Sequence, residues 1–313
     1  MLNERLLACP HDGSALRLVG DTLACEQQHN FPVEHGIPIL ARNPRREPRP
    51  LNMAPCAVDP SSPVDPFVND WIVNTNGNLY WRVRGKLPSY PIPVWPLPGQ
   101  TGADRVLVDL GCGWGRWCIA AARIGFSPCG VDVHVDALQA ASRVAAHFGL
   151  ACDFLCSEID RLPFRDDSVD FVFSYSVLQH LSRERVRRVL AEVRRILRPG
   201  GSLLIQLPNT FGALSILQQA RRGFREARED SFEMRYWTPV GIRRAFRDAG
   251  FAAIALRTDG FFSQNPQPTD LPLLSAGGRL VVRTSHFLAA VANRVAPLTR
   301  LADSLLVTAQ KPF

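Results

Sequence analysis

This 313-residue chain has no long apolar run, only two lysines and a low density of cysteine. No apolar stretch reaches the ~18–20 residues that a membrane-spanning helix needs, and the first residues do not resemble a signal peptide. The eight cysteines are too sparse for a disulfide scaffold, and those at 112, 118, 129 and 156 lie in apolar surroundings typical of reduced thiols. These features predict a cytoplasmic protein without a transmembrane segment.

Arginine supplies nearly all of the positive charge. Only Lys86 and Lys311 are lysines among the 36 basic residues, and the formal net charge is +7. This excess allows acidic partners without requiring them, and GC-rich codon usage explains the preference for arginine better than selection for a nucleic-acid surface does. The hydrophobic share of 46% and the charged share of 21% are typical of a globular protein with a buried core.

The composition and the hydrophobic pattern of the sequence change along the chain and predict four successive segments. The first is compact, and the second is rich in Pro and Arg, which is typical of an extended linker. The third gathers aromatic residues and is expected to act as a lid or a strut, and the last alternates strand and helix patterns. The predicted ranges are 1–41, 42–65, 66–101 and 102–313. Insertions at 208–237 and 259–303 follow predicted strand ends, so we expect them to select the substrate.

Seven apolar runs in the last segment predict the strands of one sheet. Helical patterns separate most of them, and such alternation indicates a mostly parallel sheet with helices on both faces. We therefore predict a Rossmann-like α/β fold with seven strands, preceded by a small β-rich ribbon module. The predicted strands are 105–110, 128–133, 152–156, 169–174, 202–207, 251–257 and 304–310.

One of these strands runs into three glycines at alternate positions and then directly into a helix. Gly111, Gly113 and Gly115 follow Asp109 in the order Asp-Leu-Gly-Cys-Gly-Trp-Gly. Glycine is needed where the backbone turns sharply and a ligand contacts the main chain. Asp132 ends the next strand, 23 residues after Asp109, where a carboxylate can accept both hydroxyls of a ribose.

The spacing of these residues separates two kinds of nucleotide ligand. A dinucleotide fingerprint places its third glycine where this chain has Arg116, and an acidic residue directly before the loop repels a pyrophosphate. Asp109 is better suited to a cationic amino group. The pattern therefore favours a nucleoside that carries an amino acid over an NAD-type dinucleotide.

Residues 102–258 resemble the class I S-adenosylmethionine-dependent methyltransferases, in particular the type 11 group of small bacterial enzymes. Besides the loop and Asp132, the resemblance rests on the stretches 157–164 (Ser-Glu-Ile-Asp-Arg-Leu-Pro-Phe) and 166–174, and on the Leu-Arg-Pro-Gly-Gly turn at 197–201. It implies S-adenosylmethionine as the cofactor. It also implies a cofactor site made of Asp109, Gly111, Cys112, Gly113, Gly115, Asp132, Val133, Glu158, Ile159, Ser174 and Tyr175.

The resemblance also implies what each part of this site does. The loop wraps the methionine part of the cofactor beside Asp109, and Asp132 binds the ribose. Glu158, which stands where the family usually has Asp, accepts from the adenine amino group, and the main chain at Ile159 contacts the ring. The two residues at the end of the fourth strand, Ser174 and Tyr175, line the methyl-transfer site.

Three residues, His180, Tyr236 and Arg235, are candidates for the catalytic machinery. Attack on a sulfonium methyl is a direct displacement with a good leaving group, so alignment of the reacting atoms supplies much of the acceleration. An oxygen acceptor usually also needs a base. His180 follows the fourth strand, and Tyr236 precedes the helix start at Thr238. A structural role is favoured for His180, and for Tyr236 a structural role in a hydrophobic staple is an open alternative.

The first segment looks like a zinc ribbon that has lost part of its ligand set. Cys9 and Asp12 form one half of the pattern, and Cys25 and His29 form the other, at spacings typical of zinc knuckles. The stretch 31–40, which runs Phe-Pro-Val-Glu-His-Gly-Ile-Pro-Ile-Leu, resembles the closing strand of the Trm112-like family. Because Asp12 replaces a cysteine, we favour a metal-free remnant; if zinc is present, these four residues are its ligands.

The sequence thus predicts a methyltransferase that acts on a small molecule or on a glycan- or lipid-linked acceptor. One alternative is an rRNA base methyltransferase, because arginines cluster within 183–195 and 221–228, although acidic residues interrupt both runs. Nucleic acid is therefore a possible partner that is not favoured. A second alternative is a non-catalytic protein that binds the cofactor. The sequence leaves the acceptor and the oligomeric state open.

Overall fold

A computed structural model of the chain describes residues 6–46, 54, 56–228, 233–262 and 268–313. The predicted linker 42–65 and the two predicted insertions extend in part outside these residues. Within the described ranges, no helix has both the length and the apolar character needed to cross a bilayer.

The N-terminal part folds into a small antiparallel sheet. Its four strands are β1 (Arg17–Val19), β2 (Thr22–Ala24), β3 (Asn30–Glu34) and β4 (Ile37–Pro38), which are hydrogen-bonded in that order. Gly20 and Gly36 lie in the connecting turns with positive φ angles of 60° and 79°, a conformation that glycine adopts without strain. The predicted β-rich module is confirmed.

A seven-stranded sheet forms the larger part of the molecule. Its order is β10-β11-β9-β8-β5-β6-β7; β11 runs antiparallel to both of its neighbours, and the pairs among β9, β8, β5, β6 and β7 are parallel. The predicted Rossmann-like sheet is therefore confirmed. The elements are α1 (Pro66–Asn76), β5 (Val106–Leu110), α2 (Arg116–Ala122), β6 (Ser127–Asp132), α3 (Val135–His147), β7 (Asp153–Cys156), β8 (Val169–Ser174), α4 (Arg183–Ile196), β9 (Leu197–Pro208), α5 (Ala213–Arg221), α6 (Pro239–Asp248), β10 (Ala252–Gly260), α7 (Ala276–Ala292) and β11 (Ser304–Gln310).

Burial follows the periodicity that the sequence shows. All six residues of β8 are buried, as expected for a central parallel strand that helices cover on both faces. Helix α4 buries Val186, Val189, Leu190 and Val193, which recur at helical spacing, and its Ser182 side chain accepts from the amide of Arg185 as an N-cap.

Several elements differ from the sequence prediction, among them one strand and one helix. The strand predicted at 202–207 is longer, because β9 begins at Leu197 and passes through the Pro-Gly-Gly turn. Gly200, with φ +77°, bends the strand, while its amide donates to Lys311 O and the Lys311 amide donates to Gly201 O, both at 2.9 Å. Helix α5 was not predicted, since it has no side-chain N-cap and buries only Ser215.

The N-terminal sheet covers one edge of the larger sheet. Ile39, just after β4, forms a parallel bridge with Cys156 at the end of edge strand β7. The amides of Leu40 and Ala41 both donate to Cys156 O, at 2.8 and 2.9 Å. Backbone groups that an edge strand leaves unpaired are thus satisfied by the chain itself.

One buried amide side chain, that of Asn69 in α1, holds together the segment that precedes β5. Its Nδ2 donates to Ser62 Oγ and Val64 O, both at 2.9 Å, and its Oδ1 accepts from the Leu87 amide at 2.8 Å. Because Asn69 is fully buried, these groups have no water to replace the amide. The turns on both sides of α1 therefore depend on this side chain.

We predict that Asn69→Ala lowers the free energy of unfolding by about 3 kcal/mol, because three hydrogen bonds are lost and the Leu87 amide stays buried without a partner. Urea denaturation followed by circular dichroism measures the change. Asn74→Ala, on the exposed side of the same helix, is the matched control and should change stability by less than about 0.5 kcal/mol. Equal effects of the two substitutions would contradict the assignment.

Candidate cofactor and active site

The three glycines after β5 all adopt left-handed backbone angles, with φ of +71°, +54° and +80° at Gly111, Gly113 and Gly115. At two of them, packing leaves no room for a side chain. A Cβ at Gly111 would lie 2.4 Å from a methyl carbon of Val177, and one at Gly115 would lie 3.0 Å from Cβ of Ala141. These two glycines are required by the fold itself.

Gly113 differs from its two neighbours in the loop. A Cβ there would meet only Cγ2 of Thr75, at the ordinary contact distance of 3.9 Å. Thr75 belongs to α1 and is held beside the loop by the indole N–H of buried Trp114, which donates to its Oγ1 at 3.0 Å. The space next to the main chain at Gly113 is therefore available to a ligand, and the aromatic segment contributes one wall of it.

The carboxylate of Asp132 connects the glycine loop to the next strand. Its Oδ2 accepts from the Gly113 amide at 2.9 Å and its Oδ1 accepts from the His134 amide at 3.0 Å. Asp132 is partly exposed, and each carboxylate oxygen retains capacity for another donor. A diol beside Gly113 can therefore donate to a carboxylate whose position is already set.

Glu158, which follows β7, makes main-chain contacts that the sequence did not predict. Its carboxylate accepts from the amides of Arg42 and Asn43, at 3.0 and 3.3 Å. The same stretch of chain continues past β6, where the Arg45 amide donates to Val133 O at 2.7 Å. Residues 42–45 thus lie along the sheet edge at which the resemblance places the adenine, and no pattern in the sequence indicated this contact.

Asp109 is buried beneath the loop. The Cys118 thiol donates to its Oδ2 at 3.5 Å. Burial raises the pKa of Asp109 to about 7, because removal from water disfavours the charged carboxylate, while the thiol and the nearby Arg116 oppose the rise. This carboxyl group is positioned to become charged when a cation arrives beside it.

The end of β8 carries two residues with different roles. The Ser174 hydroxyl donates to Leu110 O at 3.1 Å and is buried, so it joins β8 to β5. The Tyr175 hydroxyl donates to Asp259 Oδ2 at 2.8 Å, and the same oxygen accepts from Ser304 Oγ at 2.7 Å. Asp259 was not a sequence candidate; its position at the end of β10, which is parallel to β8, is the signal that could have found it.

Arg116, like Asp259, was not predicted to be a site residue, and its position in the sequence served only to argue against a dinucleotide. Its guanidinium lies 5.7 Å from the ring centroids of both Trp117 and Tyr175. Burial lowers its pKa, while Tyr175, Tyr80, Asp270 and Asp109 favour its charged form. The loop is therefore followed by a cation that faces aromatic rings.

His180 and Tyr236 lie close together, because Arg235, the residue before Tyr236, contacts the main chain of His180. His180 ends a short 3-10 helix that begins at Leu178, and its carbonyl accepts from the Arg235 guanidinium at 2.9 Å. Tyr236 is buried, its hydroxyl donates to Gln218 Oε1 of α5, and burial raises its pKa. A structural role accounts for each of these contacts.

The four candidate metal ligands of the N-terminal module converge on one point. The ligand atoms of Cys9, Asp12, Cys25 and His29 all lie within 4.8 Å of one another. His29 Nδ1 is 3.0 Å from Asp12 Oδ2, 3.3 Å from Cys25 Sγ and 3.5 Å from Cys9 Sγ. Tetrahedral zinc with bonds of 2.0–2.3 Å separates its ligand atoms by about 3.3–3.8 Å, so this donor set fits the metal.

Comparison with known proteins agrees with this architecture. Residues 108–205 match the profile of the methyltransferase domain family. An uncharacterized methyltransferase of Mycobacterium marinum is 37% identical over 103 residues, which are 33% of this chain and 39% of that protein. The ubiquinone biosynthesis O-methyltransferase of Cupriavidus pinatubonensis is 27% identical over 178 residues, which are 53% of this chain and 68% of that enzyme.

The biotin biosynthesis bifunctional protein BioHC of Cellvibrio japonicus is 29% identical over 159 residues, or 51% of this chain and 30% of that protein. The chain thus spans less than two fifths of the length of two of these relatives. A crystal structure of a methyltransferase from Methanosarcina mazei shares the fold, with a TM-score of 0.52, 18% identity and coverage of 71% of this chain and 99% of that one. The domain match and the sheet order thus support a class I S-adenosylmethionine-dependent methyltransferase domain within the chain.

Proposed function

We propose that the protein binds S-adenosylmethionine beside Gly113 and transfers its sulfonium methyl to a small-molecule or a glycan- or lipid-linked acceptor. The observation that carries this proposal is the open space at Gly113 together with the fixed carboxylate of Asp132. In the reaction, the acceptor's lone pair forms a bond to the methyl carbon as the carbon–sulfur bond breaks, and the sulfur keeps the electron pair. The products are S-adenosylhomocysteine, with a neutral sulfur, and the methylated acceptor, which takes over the positive charge and releases it as a proton to solvent where the reacting atom carries one.

In this proposal, each end of the cofactor meets a different group. The ammonium of the methionine part lies near Asp109, the carboxylate of which becomes charged in response, and the ribose hydroxyls donate to Asp132. Val133 and Ile159 flank the adenine. Glu158 keeps residues 42 and 43 in place at that end of the site.

The acceptor side is formed by the ends of β8 and β10. Tyr175 and Asp259 face each other there, and Ser304 fixes the Asp259 carboxylate. We assign this pair to positioning the acceptor, because alignment supplies much of the acceleration of a displacement. His180 and Tyr236 stay candidates for contact with the acceptor.

The charges on α4 support a small acceptor over RNA. Arg185 and Arg188 both reach Asp160, and Arg195 pairs with Asp166 and Glu192. An RNA surface needs basic groups that are free to contact phosphates. These three arginines are partly neutralised by neighbouring carboxylates instead.

Methyl transfer itself is tested by incubating the protein with S-adenosylmethionine labelled in its methyl group and with fractionated cell extract. Transfer of label into a nuclease-resistant fraction supports the proposal. Label in RNA that nuclease treatment removes would assign the alternative RNA methyltransferase. Cofactor binding without transfer to any fraction would assign a non-catalytic protein.

We predict that Gly113→Ala weakens S-adenosylhomocysteine binding at least tenfold, because the new methyl group occupies the ligand space. Calorimetry measures the affinity. Gly149→Ala is the matched control, since Gly149 also has a positive φ, +63°, and a Cβ there meets nothing within 4 Å. Both variants carry a similar backbone strain of about 1 kcal/mol, so only the first should lose binding. Unchanged binding in Gly113→Ala would remove the loop from the cofactor site.

The raised pKa of Asp109 predicts how cofactor affinity depends on pH. An ammonium favours the charged carboxylate, so binding below pH 7 must release a proton, and S-adenosylhomocysteine affinity should fall about fivefold from pH 7 to pH 6. The pH dependence of folding has the opposite sign. Because the folded state favours the protonated carboxyl group of Asp109, this group's contribution to the free energy of unfolding is lost as pH rises through 7.

The pH dependence is measured by calorimetry across this range, with Asp109→Asn as the variant that cannot titrate. We expect a flat profile for Asp109→Asn between pH 6 and pH 8. If the wild-type profile is equally flat, Asp109 does not face the ammonium.

We further propose that the N-terminal module binds a zinc ion through Cys9, Asp12, Cys25 and His29. The sequence favoured a metal-free remnant, but the convergence of the four donor atoms supports the alternative. The Asp12 carboxylate is also held by Ser14, whose amide and hydroxyl both donate to its Oδ1. Such second contacts orient a metal ligand before the ion arrives.

Protein purified without chelators should contain about one zinc per chain, measured by mass spectrometry of the metal. Cys25→Ser should lose most of the zinc and lower the thermal midpoint, whereas Cys152→Ser, a matched change in the larger sheet region, should retain it. Zinc content near zero in the wild type, or equal content in both variants, would restore the metal-free interpretation.

A further inference from the structure

Two segments of the protein bury mostly small residues and expose large apolar ones, which departs from the usual pattern of a surface helix. Helix α7 buries Val282 and four small residues, Gly278, Ser285, Ala289 and Ala292, while Phe287 is 68% exposed and Leu280 is 67% exposed. Helix α5 buries only Ser215. Nine of the fifteen exposed large hydrophobic residues among the described part of the chain fall within 209–225 and 276–301: Phe211, Ile216, Leu217, Phe224, Leu280, Val281, Phe287, Val295 and Leu301.

The charge of these two segments has one sign. Neither 209–225 nor 276–301 contains Asp or Glu, and together they carry seven arginines. Arg225 pairs with Glu233, whereas Arg221, Arg283, Arg294 and Arg300 are exposed and form no ion pair within the ranges that the structure describes. Exposed apolar side chains are thus interspersed with uncompensated cations.

Both segments are attached at the carboxyl edge of the sheet, near the proposed active site. The Asp303 carboxylate accepts from the Ser215 amide at the start of α5, at 2.9 Å. Asn209, just before α5, donates through Nδ2 to Arg300 O and Ala302 O, at 2.8 and 2.7 Å. The surface that they form therefore borders the end of the sheet at which the acceptor is proposed to bind.

We infer that segments 209–225 and 276–301 form a peripheral binding surface for an anionic lipid bilayer. Basic helices that expose large apolar side chains lie in the interface of such membranes, where the apolar groups enter the lipid boundary and the arginines meet anionic headgroups. A bilayer satisfies both features of the surface at once. An RNA surface would pair its arginines with aromatic side chains for base stacking, whereas most of the exposed apolar residues here are aliphatic.

The test is sedimentation of the full chain with vesicles of phosphatidylcholine alone and of phosphatidylcholine mixed with phosphatidylglycerol. We expect binding to the mixed vesicles, little binding to the neutral ones, and a decrease with salt. The double variant Leu280→Ser/Phe287→Ser should reduce the partition coefficient at least tenfold, and Arg283→Gln/Arg294→Gln at least fivefold. Val240→Ser is the control, because Val240 is 76% exposed on α6, outside the proposed surface.

Absence of binding to the mixed vesicles would overturn the inference, as would a loss in Val240→Ser equal to that in Leu280→Ser/Phe287→Ser. Light scattering tests whether a second copy of the chain binds this surface instead of a bilayer. A concentration-dependent dimer that the Leu280→Ser/Phe287→Ser variant dissociates would assign the surface to that second copy and overturn the inference. The assay needs no cofactor, so Gly113→Ala should bind vesicles as the wild type does. Failure of the methyltransferase proposal and failure of this one are therefore distinguishable.

Discussion

The hydrogen bond from the Gly113 amide to the Asp132 carboxylate sets the geometry on which the proposed site depends. It joins the ends of two adjacent parallel strands, β5 and β6, and it uses a main-chain donor that only a tight left-handed turn directs toward the next strand. The free-energy cost of placing a carboxylate beside the loop arises during folding, before any ligand binds. A ribose that arrives there finds its acceptor already oriented, which is the general advantage of a preorganised site.

The part of the chain before residue 102 completes this site and does not merely precede it. Thr75 of α1 lies beside Gly113, and the amides of Arg42 and Asn43 occupy Glu158 at the opposite end. The pairing of Ile39 with Cys156 explains how the linker reaches that position, since it continues the small sheet along the edge of the large one. Both walls thus come from segments that are distant in sequence from the strands they cover.

The sequence predicted the elements whose signal is local and missed those that depend on long-range contacts. The seven strands and the glycine loop could be predicted, because apolar runs and alternate glycines carry their own physical reason. The use of Glu158 by the linker could not, since nothing in residues 42–45 distinguishes them from other extended chain. Asp12 shows the same limit of sequence-based prediction. It stands where a zinc-ligand cysteine is expected, yet its carboxylate oxygen lies 3.0 Å from the His29 nitrogen.

The carboxyl edge of the sheet divides into two chemically different halves. The half at β5, β6 and β7 presents the carboxylate of Asp132 and open main chain at Gly113, which suit a cationic nucleoside. The half at β8, β10 and β11 has a polar network beneath, in which Gln206 donates to Ser304 and Ser304 donates to Asp259, and apolar side chains from α5 and α7 at its border. For the proposed methyl transfer, a polar floor with an apolar border suits an acceptor that has a polar reacting group and an apolar remainder. The same division explains why the glycine loop is recognisable from sequence while the acceptor side is not: a fixed cofactor demands particular backbone angles, whereas an acceptor surface demands only polarity in one place and apolarity in another.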